Sequence, residues 1–178
     1  MISTITRYGL AAGLIIGSIL FGSTVGFHDN IPDPAIGMAI GYSGMLLGFA
    51  MIFIGIKRHR DTVLGGVIGF APALAMGLGI TLIATLFYVA AWEAALAVTG
   101  MDFGAEYASF MIAEAQKSGD PAAVARARAE AAAFAAQYAR PLSRMAITAT
   151  EIMPVGAVVS LITAFWLSRR PAAPKMVA

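Results

Sequence analysis

Residues 72–99, PALAMGLGITLIATLFYVAAWEAALAVT, carry one charged side chain, Glu93, in 28 positions. At about 1.5 Å per residue, a helix of that length exceeds the roughly 30 Å hydrocarbon core of a bilayer. Three more runs read the same way. They lie between Arg7 and His28, between Pro34 and Lys57, and between Arg144 and Arg169, and only Glu151 interrupts the last. The expected fold class is an all-α integral membrane protein with four transmembrane helices and an extracytoplasmic helical hairpin between helices three and four. The whole chain, 1–178, reads as a single four-span membrane domain. Its spans fall at about 8–27, 34–56, 72–99 and 141–167, with the outer hairpin at about 102–140.

Composition agrees with a lipid environment. The 178 residues are 59% hydrophobic and 12% charged, against about 25% charged in a soluble domain, and the mean hydropathy is +0.79. Nineteen glycines and ten methionines suit helices that approach closely in lipid, where small side chains favour association. The chain has no cysteine, which excludes disulfides, thiolate metal sites and cysteine nucleophiles. The basic pI, about 9.2, does not point to nucleic acid. The bases flank the spans, as the positive-inside rule describes.

Those bases set the expected orientation. Arg7 precedes span one, Lys57, Arg58 and Arg60 follow span two, and Arg169, Arg170 and Lys175 follow span four. Four crossings put all three clusters on one side, so both termini and the 57–61 loop are expected to be cytoplasmic. The outer side receives a short turn, His28 to Pro34, and the excursion from about Gly100 to Arg140. Span one also resembles a signal peptide in having Arg7 before it and small residues at Gly22-Ser23-Thr24. Its apolar stretch exceeds a usual signal core, so a retained helix is expected. Gly65, Gly66, Gly69 and Pro72 break the third run, and Pro72 is read in the first turn of span three.

The outer excursion carries two apolar stripes. Phe103, Tyr107, Phe110 and Met111 form one, and Val124, Ala127, Ala131, Phe134, Ala135 and Tyr138 form the other. Between them, Ser118-Gly119 breaks the helix, Asp120 can cap the next one, and Pro121 suits its first position. In the spans, Gly9, Gly13 and Gly17 share a face, as do Gly37 and Gly41, and Gly44 and Gly48. This four-residue spacing is expected to pack helices, within the chain or between copies.

Chemistry is concentrated at two carboxylates inside the spans, Glu93 and Glu151, both in the outer half at comparable depth. Arg144, Thr148 and Glu151 follow i, i+4, i+7 spacing on one helix face, and Arg144 is the expected counter-charge, directly or through Glu93. The residues Glu93, Arg144, Thr148 and Glu151 are thus the candidate ligand-binding set, a polar outer chamber for a headgroup, a cation or a proton. A charge network that fixes helix register is the competing reading. Thr81, Thr85, Tyr88 and Trp92 form a stripe on span three, whose hydroxyls are expected to bond their own helix and whose aromatics are expected in the interfacial belt. Pro154, three residues after Glu151, can free a backbone carbonyl near the acid. No metal site, cofactor or catalytic residue is expected. Two histidines on opposite sides make a weak zinc signal, and the nucleophile-elbow, phosphate-loop and dinucleotide fingerprints are absent.

The stretch Tyr138-Ala139-Arg140-Pro141-Leu142, followed by Glu151-Ile152-Met153-Pro154-Val155-Gly156 and Leu161-Ile162, resembles the last helix of an uncharacterised bacterial membrane family, domain of unknown function 4199. Gly65-Gly66 to Phe70, the region around Trp92 and the hairpin resemble it too. The resemblance implies a four-helix protein of the bacterial cytoplasmic membrane and no particular activity. Two functions therefore stand as expectations. The first is a non-catalytic membrane protein, in contact with membrane lipids, that acts by assembly with itself, a homodimer for example, or with a membrane partner. The other is a carrier or a lipid- or ion-binding protein using Glu93, Glu151 and Arg144. An enzyme with Glu151 as base is a third, less supported reading.

Overall fold

The computed structural model of the protein describes residues 1–28 and 34–169. Among them are six helices and no strand: α1 (Ile2–Gly26), α2 (Pro34–Thr62), α3 (Phe70–Thr99), α4 (Phe103–Gln116), α5 (Pro121–Tyr138) and α6 (Pro141–Arg169). Four of these, α1, α2, α3 and α6, are long and apolar enough to cross a membrane. The expected His28–Pro34 turn and the bases Arg170 and Lys175 fall wholly or partly outside the described residues.

The four long helices form a four-cornered bundle. α1 packs on α3 and α2, α3 packs on α6, and α2 closes the ring more lightly against α6. Phe49, Ile52, Ile56, Met76, Ile80 and Ile152 meet, fully buried, at its centre. Outward-facing Leu46, Leu82, Leu86, Ile162 and Phe165 remain exposed, as apolar side chains do when lipid is the solvent.

Glycines set how closely the helices approach. A Cβ on Gly9 would lie 2.7 Å from Ile83, and one on Gly13 2.7 Å from Phe87, so α1 lies almost backbone-deep against α3. Gly17 continues the seam, 3.4 Å from Ala91. Gly44 and Gly48 do the same between α2 and α1, at 2.8 Å from Ile19 and 2.2 Å from Ile16. Gly37 and Gly41, grouped with them in the sequence, would meet nothing within 4 Å. At the α3–α6 crossing, Gly77 faces Ser160, and a Cβ on Gly156 would fall 2.3 Å from the Thr81 methyl and 2.8 Å from the Phe49 ring.

One boundary differs notably from the expected loops. Residues 57–61 are helical rather than a loop, since α2 runs on to Thr62, and Lys57 pairs with Asp61 one turn on at 3.1 Å. His59 and Arg60 are buried there against the bundle, with Thr4 sharing a hydrogen bond with the His59 imidazole at 3.2 Å.

At the opposite end, α3 stops at Gly100, whose φ of 67° is left-handed and disfavours a side chain. Asp102 then caps α4 by accepting the Ala105 N–H at 3.0 Å. α4 stops at Gln116, Gly119 turns the chain with φ of 69°, and Asp120 caps α5 by accepting from Ala122 at 2.9 Å, with Pro121 at the first helical position. α4 and α5 pack on each other, with the Tyr107 and Phe134 rings 4.9 Å apart.

Candidate functional site

Arg144 stands in the first turn of α6 and reaches across to α3. Its Nε donates to Glu93 Oε1 at 2.7 Å, and a terminal guanidinium nitrogen donates to Oε2. Both side chains are 21% exposed, so the pair is half-sheltered and bidentate, the stronger ion-pair geometry. One turn below, buried Thr148 donates to the Arg144 carbonyl at 3.0 Å. That bond ties its hydroxyl to its own helix.

Aromatic rings fasten α4 and α5 over this pair. The Trp92 indole N–H donates to the Tyr138 hydroxyl at 2.6 Å, Trp92 meets Phe103 edge-on at 5.2 Å, and Phe103 lies 5.3 Å from Tyr138. The Arg144 guanidinium is 5.9 Å from the Tyr138 ring centre, within cation–π range. Burial pushes the Tyr138 phenol above its usual pKa, partly offset by the Trp92 bond, so it stays a neutral hydroxyl.

Between these elements is a cavity of about 420 Å³ whose lining includes Glu93, Gly100, Asp102, Phe103, Tyr138 and Arg144. It opens at the junction of α3, α4, α5 and α6. The expected aromatic belt on span three is corrected here. Tyr88 is buried and Trp92 half-buried, the Tyr88 hydroxyl donating to Glu151 and the Trp92 indole N–H to Tyr138. Thr81 and Thr85 do bond their own helix, at 3.0 and 2.9 Å.

Glu151 stands apart from this cavity. Its carboxylate accepts the Tyr88 hydroxyl at 3.1 Å, and it is exposed on the bundle surface. Two expectations change accordingly. Arg144 is the counter-charge of Glu93 and not of Glu151, since seven residues of helix carry Glu151 about 10 Å further along α6. For the same reason the two acids differ in depth. Glu151 and Tyr88 each lie 18 residues, or about 27 Å, from the Arg169 and Phe70 ends of their helices. Glu93 and Arg144 lie further along the same helices, toward the α4–α5 end of the bundle.

Tyr138, Asp102 and Phe103 are the wall residues that the sequence reading did not place at the site. Tyr138 stands six residues before Arg144, and Asp102 has the spacing of a helix cap, so both signals were present. What was missing is the reach of Trp92 from α3 to Phe103 and Tyr138. No group of three His, Cys, Asp or Glu residues arranged to hold a metal occurs among the described residues.

The family model described as protein of unknown function DUF4199 matches residues 7–169. No curated protein and no solved structure matches the chain.

Proposed function

We propose, for a chain that belongs to the DUF4199 family of proteins of unknown function, a multi-pass membrane protein that binds a small charged group at headgroup level, in the chamber over Glu93 and Arg144. The observation that carries this reading is the cavity itself. Its volume of about 420 Å³ falls in the range of ligand pockets, about 300–1,000 Å³. Its walls mix apolar rings with a few convergent polar groups, as such pockets do.

The chamber end is assigned to the extracytoplasmic side of a bacterial cytoplasmic membrane. Arg7, Lys57, Arg58, Arg60 and Arg169 flank the spans at the other end, which the positive-inside rule makes cytoplasmic. α4 and α5 then act as an outer hairpin roofing the chamber.

Assembly with a second copy or another membrane protein has one observation on its side. Glu151 faces outward near the hydrocarbon boundary with Tyr88 as its hydrogen-bond partner. A carboxylate there must be met by water, a headgroup or a neighbouring protein.

Native mass spectrometry of protein released from mild detergent tests the chamber. Wild type should retain one bound adduct, and Ala97→Trp, at an exposed position of the cavity wall, should lose it while remaining folded. Equal adduct on both proteins, or none on wild type, would sink the reading.

A further inference from the structure

We propose that the chamber selects a zwitterionic amino-phosphate group, an ammonium and a phosphate a few bonds apart, as in the headgroup of phosphatidylethanolamine or in free phosphoethanolamine. This inference rests on the chamber reading above. The charged residues of the lining are two carboxylates, Glu93 and Asp102, and one guanidinium, Arg144. Glu93 and Arg144 neutralise each other through two hydrogen bonds. Asp102 is exposed, spends Oδ1 on the Ala105 N–H and has no cationic side chain paired with it among the described residues, which leaves one solvent-accessible negative charge at the α4 side of the cavity.

The opposite wall offers donors. Arg144 spends two of the five guanidinium N–H groups on Glu93. Tyr138 is 5% exposed, and its hydroxyl accepts from Trp92, so its own hydrogen is available to an acceptor. A purely anionic group would satisfy Arg144 and Tyr138 but be repelled by Asp102. A purely cationic group would be attracted to Asp102 and make no use of the donors. A ligand carrying both charges answers both walls, with phosphate toward Arg144 and Tyr138 and ammonium toward Asp102.

The test measures binding to delipidated protein in a nonionic detergent, by titration calorimetry, with phosphatidylethanolamine, phosphatidylglycerol and free phosphoethanolamine as probes. Phosphatidylethanolamine should bind at least about tenfold more tightly than phosphatidylglycerol, the scale of one charge-assisted hydrogen bond. Asp102→Asn keeps a good helix cap while removing the charge, and should erase that preference. Displacement of the lipid by free phosphoethanolamine assigns recognition to the headgroup alone. Lipid binding without such displacement assigns the membrane as the source, and either result supports the zwitterion. Phosphatidylglycerol binding as tightly as phosphatidylethanolamine, or an Asp102→Asn protein with its preference intact, overturns the selectivity. If that binding is still lost in Ala97→Trp, the chamber stands and only its selectivity falls. No binding by any probe rejects the chamber itself.

Discussion

Gly156→Ala is the substitution whose cost can be worked most directly from the geometry. The new Cβ would lie 2.3 Å from the Thr81 methyl, 2.7 Å from its hydroxyl and 2.8 Å from the Phe49 ring tip. Thr81 is buried on a backbone held against α6, so it has little room to yield, whereas the ring tip can swing. Overpacking of this kind costs typically about 1–3 kcal/mol, and three overlaps at one carbon argue for the upper end. Alanine returns about 1 kcal/mol as a better helix former. A net loss of about 2 kcal/mol should lower the midpoint of a circular-dichroism melt in detergent by about 4–8 °C. Thr81→Ala removes both overlapping Thr81 atoms, so the double variant should recover more than half of that loss. The coupling between the two sites should be at least about 1 kcal/mol, as for residues in contact. A Gly156→Ala protein that melts with wild type, or two strictly additive substitutions, would refute the claim that this crossing is set by the glycine.

Glu93→Gln and Arg144→Met should each cost about 1–2 kcal/mol, between an exposed and a fully buried pair, and so lower the same midpoint, because each strands one partner. The double variant should be more stable than either single one, and a double loss equal to the sum would mean the two do not interact. Tyr88→Phe removes the hydroxyl that Glu151 accepts and should cost about 1 kcal/mol, which a melt beside wild type checks. Cysteines at Ser118 and Thr62 should label with a membrane-impermeant maleimide from opposite faces of an intact cell, Ser118 from outside. Labelling of both from one face would reject the orientation.

Much of this was legible in the chain. Length and apolarity alone announce the four long helices, and a carboxylate or guanidinium amid apolar residues, as at Glu93, Arg144 and Glu151, announces itself as a group needing a partner. Which partner it takes was not legible. Helical spacing puts Arg144 and Glu151 on one face, but the rotation of α6 against α3 decides the pairing. That rotation is fixed by contacts such as Gly77 with Ser160 and Gly156 with Thr81, which no periodicity within one helix contains. The same limit hid Tyr88 and Trp92, whose spacing fits a membrane belt as well as an inward stripe. The Glu151-to-Gly156 stretch carries part of the family resemblance, yet its two ends do different things. Glu151 accepts from Tyr88, while Gly156 marks a closest approach of three helices.

The α1–α3 seam also constrains how the molecule is made. Gly9, Gly13 and Gly17 await Ile83, Phe87 and Ala91, residues synthesised some seventy positions later. During translation the first helix therefore enters the bilayer with its best-fitting face still empty, and α2, arriving next, covers a different side. The bundle's most intimate pairing waits for the third span to emerge, and the slow, non-local step that contact order associates with late closure falls inside the membrane.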